Sequence, residues 1–222
     1  MKSEEIFIDV KKNEDGKYGY INAQGKVIIP FEYDEMYMQL FRVDLKEGIE
    51  YLKFFISLKD DKWGILSYNG KIWIPFEYSA IEVLENTRGQ LLKVNDNFQW
   101  GIVDFIDRKT ILPCYFEEIE VYVFGDSAFF IVEEEAFDGN KKGIYDFRGE
   151  ILPSEYDEIF IHDEKDKIFF TVQKNNKWGA FDHNGKLLLP IKYDDLIPAE
   201  TEEKIYLEAL IDDKQELLEL YI

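Results

Sequence analysis

The amino-acid sequence predicts an all-β protein made of tandem antiparallel β-hairpins that stack as a propeller-like array. Five glycines recur at steps of 45, 37, 42 and 36 residues, and a proline follows each of them after 10 to 12 residues. Five of the six prolines occupy this one position. Short apolar runs fill the intervals, as expected for repeat folds with units of about 40 residues. The pairs are Gly19 and Pro30, Gly64 and Pro75, Gly101 and Pro113, Gly143 and Pro153, and Gly179 and Pro190.

Each copy predicts a strand, a tight turn and a returning strand. In the last copy these are residues 178–182, Asn184-Gly185 and residues 186–189. Asn-Gly favours a two-residue type I′ turn, because both central residues of that turn need positive φ angles. Asn69-Gly70 repeats the signal, whereas the third copy has Asp107-Arg108 and predicts a wider turn. We expect the proline to end strand pairing, because it has no amide proton to donate to the ladder.

Further apolar runs predict two more strands in each unit, which makes about four short antiparallel strands. Two segments of the returning strands, residues 27–29 and 72–74, are apolar at successive positions. Such strands are buried on both faces, so neighbouring units must cover them on both sides. The additional strand-like runs are residues 81–84, 91–94, 119–123, 129–132 and 168–172.

The organisation predicted is a single repeat domain over residues 1–222, with capping strands in residues 1–16 and 197–222. Residues 6–10 and 204–210 both look like the strand that precedes a hairpin, and residues 216–221 predict one more. Because both ends supply the same strand type, closure of the array is left open, and an open superhelical β-solenoid is the alternative. The five copies lie near residues 17–36, 62–81, 99–119, 141–159 and 177–196.

These copies resemble the bacterial WG-repeat proteins. The family unit carries Lys-Trp-Gly, a Gly-Lys turn, and then Pro, Tyr and Asp, as in Lys177-Trp178-Gly179 through Tyr193-Asp194. The resemblance implies an interaction or structural module without a shared activity. The copies depart from it at Tyr18 and Lys142 in the tryptophan position and at Phe116-Glu117 in the tyrosine-aspartate position. Besides the glycines and prolines, the structural repeat positions are Trp63, Trp100, Trp178, Tyr33, Tyr78, Tyr156 and Tyr193.

The charge of the chain disfavours several classes of partner. It has 46 acidic and 26 basic residues, a net charge of −20. This surplus opposes binding to nucleic acid and to anionic membranes, and it favours either a solvated surface or attraction to a basic protein. The sequence has no apolar run of transmembrane length and no secretory signal, so we expect a cytoplasmic protein. A single cysteine, Cys114, excludes an internal disulfide framework.

Candidate chemical groups each have a structural interpretation that is favoured here. The three motif tryptophans could form a row for stacking a ligand, but recurrence at one position favours packing, and Trp73 is also expected in the core. The repeated Tyr-Asp-acid clusters could hold Ca²⁺ or act as acid and base, but recurrence favours hydrogen bonding in local turns. Cys114 is expected to pack, and His162 and His183 are expected to be exposed. No catalytic, cofactor-binding or metal-binding residue is predicted.

The leading functional hypothesis is a non-enzymatic interaction or scaffold protein that presents an acidic surface and variable loops to a protein partner. Residues 36–51, 85–90 and 124–139 vary most between copies and are the expected contact segments. One form of this hypothesis is an inhibitor of a basic protein. The alternative is a glycan-binding or glycan-cleaving protein that uses exposed aromatic and carboxylate groups, and a structural spacer is a third possibility.

Overall fold

The regular secondary structure of the protein is β-strand throughout the part that the structure describes. The structure is a computed structural model and describes residues 10–45, 48–84, 87, 91–125, 127–199 and 204–222. Within these ranges 22 strands form six antiparallel sheets, in each of which neighbouring strands are consecutive in sequence. This confirms the predicted all-β repeat of about four strands. The chain divides into two compact units, Met1–Tyr115 and Phe116–Ile222.

The first unit holds one three-stranded sheet followed by two four-stranded sheets. The motif hairpins predicted near residues 17–36, 62–81 and 99–119 form the last two strands of these sheets. In order, the strands are β1 Val10–Lys12, β2 Tyr18–Ile21 and β3 Val27–Tyr33; β4 Glu35–Leu45, β5 Gly48–Lys59, β6 Lys62–Ser67 and β7 Ile72–Tyr78; and β8 Ala80–Val83, β9 Leu91–Asp96, β10 Gln99–Asp104 and β11 Lys109–Phe116.

The second unit holds two four-stranded sheets followed by one three-stranded sheet. The predicted C-terminal strands are present, since residues 206–211 and 214–219 both pair in the last sheet. At the other end, Val10–Lys12 forms the strand before the first hairpin, and residues 6–9 of that prediction lie outside the described residues. The strands are β12 Glu118–Phe124, β13 Ser127–Glu134, β14 Lys141–Asp146 and β15 Gly149–Tyr156; β16 Glu158–Glu164, β17 Lys167–Lys174, β18 Lys177–Asp182 and β19 Leu187–Tyr193; and β20 Asp195–Ala199, β21 Tyr206–Ile211 and β22 Lys214–Glu219.

The core lies between consecutive sheets within each unit. In the second sheet, successive residues of β5 face opposite neighbours: Phe55 packs with Tyr20 of the first sheet, and Phe54 packs with Leu92 of the third. In the second unit, Phe170 and Phe169 of β17 divide between two clusters in the same way. The strands buried on both faces are therefore the second strands, because sheets cover them on both sides.

The returning strands are edge strands, and two predictions about them are wrong. Val27 and Ile72 are exposed, so residues 27–29 and 72–74 are not buried on both faces. Nor does the proline end pairing: Pro75 lies inside β7, which continues to Tyr78 and pairs there with Trp63. An edge strand tolerates proline, and the register shift between the Ile65–Ile74 and Trp63–Tyr78 pairs removes any need for its missing amide proton.

The turns at the two Asn-Gly pairs differ from the prediction. At Asn184-Gly185 only the glycine has a positive φ, +81°, so the turn is not type I′. Asp182 and Lys186 close a three-residue loop instead, and the Asp182 carboxylate accepts hydrogen bonds from the amides of Asn184 and Lys186, both at 2.9 Å. The Asp182 carboxylate thus provides hydrogen-bond partners for two backbone amides of a loop that is one residue longer than a type I′ turn. The turn at residues 105–108 is wider, as predicted.

Candidate interaction surface

The repeated glycine and proline form one contact between the last two strands of each sheet. A Cβ atom on Gly101 would lie 2.7 Å from the Leu112 carbonyl oxygen and 2.8 Å from the Cys114 amide nitrogen. Those two residues flank Pro113 in the edge strand β11. The absence of a side chain at Gly101 therefore allows the backbone of the edge strand to approach this closely at the proline. A Cβ atom on Gly19, Gly64, Gly143 or Gly179 would likewise lie 2.7–3.0 Å from atoms of the corresponding residues in its own edge strand.

The repeated aspartate joins one sheet to the next. Asp157 lies between the fourth and fifth sheets, where its Oδ1 accepts a hydrogen bond from Lys141 Nζ at 2.7 Å and its Oδ2 accepts one from the Asn175 amide at 2.7 Å. Its own amide donates to the Gln173 carbonyl at 2.8 Å. The bond from Lys141 holds the pKa of Asp157 below its ordinary value. The expectation of a local turn bond was therefore too narrow, because the bonds reach the following sheet.

The same contact recurs in both units. Asp34 accepts a hydrogen bond from Lys17 while its amide donates to the Leu58 carbonyl at 2.8 Å. Asp194 accepts one from Lys177 and another from the Asp212 amide at 3.0 Å. In each case the lysine precedes the tryptophan position of the same copy. The lysine, aspartate and following turn thus form a repeated clasp between sheets.

Two departures from the repeat preserve a link between sheets by other bonds. Ser79 stands in the aspartate position, and Lys62 instead pairs with Asp96 of the following sheet, at 2.6 Å. Lys142 stands in the tryptophan position, where its Nζ lies 2.7 Å from Glu158 of the following sheet. The Lys62–Asp96 ion pair thus replaces the hydrogen bonds of the missing aspartate, and the Lys142–Glu158 ion pair replaces the packing of the missing tryptophan.

We expect Asp157→Ala to lower the free energy of unfolding by about 1 kcal/mol, since it removes two part-exposed hydrogen bonds. Because the folded protein lowers the pKa of Asp157, this contribution is present at neutral pH and is lost as the pH falls through that lowered pKa. Urea unfolding at pH 7 measures the effect. Asp163→Ala, an exposed acid on β16, is the matched control, and an equal loss in both variants would contradict the clasp.

The motif tryptophans are half-buried and pack within their sheets. Trp63 stacks on Tyr37 with ring centroids 6.0 Å apart, and Trp178 stacks on Phe160 at 5.8 Å. Lys93 lies over the Trp100 ring at 4.4 Å. Tyr37 and Trp63 also line a cavity of about 280 Å³, so the glycan alternative stays a hypothesis.

Trp73 and Cys114 both belong to the apolar packing between the second and third sheets. Trp73 packs against Phe54 and Phe105 and lies under the Arg108 guanidinium at 5.3 Å. The Cys114 thiol faces the Val94 carbonyl at 3.7 Å, and burial raises its pKa. A thiol kept protonated in this way is a poor nucleophile.

The two histidines lie in different environments. His183 is exposed in a hairpin turn, as expected. The expectation of exposure is wrong for His162, whose Nε2 lies 2.8 Å from the Thr171 hydroxyl and whose ring stacks on Phe169 at 4.8 Å. Burial lowers the pKa of His162 to about 4. His162 pairs across the strands with Phe169, and this contact, which the sequence does not specify, partly buries the His162 ring.

We expect the free energy of unfolding to decrease as the pH falls, because His162 is buried in its neutral form. Its pKa is about 4 when folded and near 6.5 when unfolded, so full stability holds above pH 6.5 and is lost as the pH falls towards 4. The full loss is as much as about 3 kcal/mol. Chemical denaturation at pH 7.5 and pH 5 should show about 2 kcal/mol of this loss, because pH 5 still lies above the folded pKa. His162→Gln should flatten this dependence and His183→Gln should not; equal pH dependence in wild type and His162→Gln would contradict the assignment.

Among the described residues, no group of three or more His, Cys, Asp or Glu side chains is placed to hold a metal ion. Within the same ranges, no helix has the length and apolar character needed to cross a bilayer.

The β4–β5 hairpin is the largest departure from the repeat. β4 and β5 pair from Glu35 and Leu58 out to Leu45 and Gly48, whereas β6 accompanies β5 only from Phe54 to Lys59. Six residue pairs, from Leu40–Lys53 to Leu45–Gly48, therefore extend beyond the third strand. On the described part of this ribbon, Leu40 is 50% exposed and Tyr51 is 59% exposed. A two-stranded ribbon with exposed apolar side chains is suited to contact with another protein.

The predicted variable segments are thus only in part loops. Residues 36–45 and 48–51 are paired strands of this hairpin. Most of the segment at residues 85–90 lies outside the described residues. In the segment at residues 124–139, Phe124 ends β12 and Ser127–Glu134 forms β13, so the described connections are Gly125 and residues 135–139. Strands and connections that differ in length between copies supply the non-repeated surface.

The sheets and the clasps between them define a tandem β-repeat protein. The family model described as "WG containing repeat" matches residues 18–38, 63–86, 148–178 and 178–203, and these matches support the resemblance in those four segments. No curated protein matches the chain. Among solved structures, one described as "AfRom2 CNH domain" is 10% identical, with 84% of this chain and 89% of that chain covered and a TM-score of 0.23.

Proposed function

We propose that this chain is a non-enzymatic protein-interaction protein of the bacterial WG-repeat type, with five copies, which works in the cytoplasm. The copy near residues 99–119 lies outside the family matches, yet it has the glycine–proline contact of the others. The repeated residues are used in packing and in the clasps. What remains for binding is the surface that differs between copies.

The observation that carries the proposal is the extension of the β4–β5 hairpin beyond its sheet. Backbone pairing continues for six residue pairs without a third strand, and the described side chains there include exposed Leu40 and Tyr51. Neither the sheet nor its neighbours need this extension, because the first strands of the other five sheets have three to seven residues in the described part of the chain. Exposed apolar side chains on a projecting hairpin lower the solubility of a protein. A bound partner that covers them is the best explanation for this hairpin.

The partner is a basic protein in this proposal. The net charge of −20 speeds encounter with a positively charged surface and repels nucleic acid and anionic lipid. Inhibition of a basic protein is one form that such binding would take. The bound complex should dissociate more readily as salt rises.

The proposal is tested by shortening the hairpin. Residues 41–52 are replaced by Asn-Gly, which joins the paired residues Leu40 and Lys53 by a two-residue turn. We expect the thermal unfolding midpoint to stay near that of wild type, while proteins captured by the wild-type bait are lost. Tyr68→Ser, at an exposed residue in the repeated β6–β7 turn, is the control and should keep them.

Two results would count against the proposal. Capture of the same proteins, in the same amounts, by the wild-type and shortened baits would remove the hairpin from the contact. Captured proteins that elute no earlier at raised salt would remove the electrostatic part.

A further inference from the structure

Phe98 occupies a backbone position that the fold would fill with a small polar residue. It is the second central residue of the Asn97-Phe98 turn between β9 and β10, with a φ of +68°. Turns with positive φ at both central residues favour asparagine, aspartate and glycine, and a bulky residue in this region is an outlier. The Phe98 side chain is 91% exposed, so burial does not compensate for the strain.

The equivalent turns show what the fold itself requires. Three other turns between a second and a third strand have positive φ at both central residues, and they use Asp60-Asp61, Asn175-Asn176 and Asp212-Asp213. All of these residues are small and polar. Phenylalanine at position 98 therefore weakens the turn and adds no packing.

The surroundings of Phe98 are acidic. Lys62 Nζ pairs with Asp96 Oδ1 at 2.6 Å, and this ion pair links the Asn97-Phe98 turn to the Asp60-Asp61 turn of the preceding sheet. Asp60 and Asp61 are both exposed, and Lys17 of the first sheet lies within electrostatic range of both. The two linked turns therefore carry three carboxylates against two lysines, a small surplus of negative charge.

We propose that Phe98 inserts into an apolar pocket of a protein partner whose rim carries lysine or arginine. Buried aromatic anchors dominate protein interfaces, and the carboxylates of Asp60 and Asp61 complement a basic rim. A second copy of this chain is disfavoured as the occupant, because two molecules of charge −20 repel each other. The inference rests on the proposed interaction function, but it assigns a different surface from the β4–β5 hairpin.

The corresponding connection of the next sheet, between β13 and β14, also carries an exposed phenylalanine. Phe137 is fully exposed, in a turn that ends at Gly139. Two consecutive sheets thus place an aromatic ring in solvent at the connection between the second and third strands. Recurrence at this connection supports a role outside the fold.

The first step of the test uses the photo-reactive residue p-benzoyl-phenylalanine at position 98 of the full chain, with position 160 as control. Phe160 is 51% exposed but lies on a strand with ordinary backbone. Cell extract is irradiated at low salt, and proteins that cross-link only at position 98 are identified and purified. We expect a basic protein. Cross-linking no more frequent at position 98 than at position 160, or only to further copies of this chain, would overturn the proposal.

The second step uses that purified protein as the probe. Phe98→Asn should weaken its binding at least tenfold and at the same time raise the unfolding midpoint by about 2–4 °C, because asparagine relieves the strain. Unchanged affinity, or a lower midpoint, would overturn the proposal. Binding of the same protein to the shortened-hairpin variant is measured in parallel to separate the two surfaces. If that variant loses binding and Phe98→Asn does not, the proposed function stands and insertion of Phe98 into the partner is rejected.

Discussion

Replacing Gly101 with alanine is expected to lower the free energy of unfolding by about 3 kcal/mol. The new Cβ would lie 2.7 Å from the Leu112 carbonyl oxygen and 2.8 Å from both the Pro113 carbonyl carbon and the Cys114 amide nitrogen. All three are backbone atoms, so no side-chain rotation relieves the overlap, and the edge strand must move away. Equilibrium unfolding in urea, monitored by tryptophan fluorescence, measures the loss.

Gly25→Ala is the matched control for this prediction. Gly25 lies in a motif hairpin of the same unit, has a φ of +79°, and has nothing within 4 Å of the position of a Cβ atom. Its substitution tests backbone strain without overlap, and it should cost about 1 kcal/mol. A loss at Gly101 no larger than the loss at Gly25 would show that the glycine–proline contact has no special role.

Truncation of Phe170 to alanine is expected to cost about 3–5 kcal/mol. Phe170 is completely buried between two sheets, where its ring meets Phe129 edge-on with centroids 5.4 Å apart. Its removal leaves a cavity that two rigid sheets cannot close. Thermal unfolding should show a lower midpoint, or no cooperative transition at all.

The control for Phe170 is a phenylalanine of the same sheet that faces solvent. Phe160 on β16 is half-exposed and stacks on Trp178, so Phe160→Ala should cost about 1 kcal/mol or less. Similar losses for the two variants would mean that the second strands are not the centre of the core.

The recurrence of glycine and proline, together with the apolar runs between the copies, was sufficient to predict units of about four antiparallel strands. A periodic sequence indicates a repeated backbone, and the apolar runs that contain Leu91, Phe129 and Ile168 all form the second strands of their sheets. The clasp was visible only as a repeated Tyr-Asp pattern. Its partners, Lys141 and the amide of Asn175, come from positions 16 and 18 residues away from Asp157, which no local rule connects.

The turns were predicted less well because two turn types compete for the same residues. Asn184-Gly185 signals type I′, but the carboxylate of Asp182 stabilises a longer loop in which only the glycine needs positive φ. The type I′ geometry occurs instead at Asp60-Asp61, where no glycine marks it. An acceptor side chain three residues before the glycine, which recurs as Asn22, Ser67 and Asp182, is the signal that would have indicated the loop.

The surface features were the least predictable. The length of the β4–β5 hairpin cannot be read from residues 36–51, because their apolar pattern suits a short strand with a loop as well as a long ribbon. Phe98 carries no sequence signal until its φ angle and exposure are known. Both depend on register, which the structure supplies.

A double-mutant cycle on Phe129 and Phe170 tests most directly whether consecutive sheets bury each other's apolar side chains. The two rings belong to β13 and β17 of neighbouring sheets, and leucine at either position keeps an apolar side chain. From the unfolding free energies of wild type, Phe129→Leu, Phe170→Leu and the double variant, we predict a coupling of about 1 kcal/mol. Strict additivity of the two substitutions would contradict the packing of one sheet against the next.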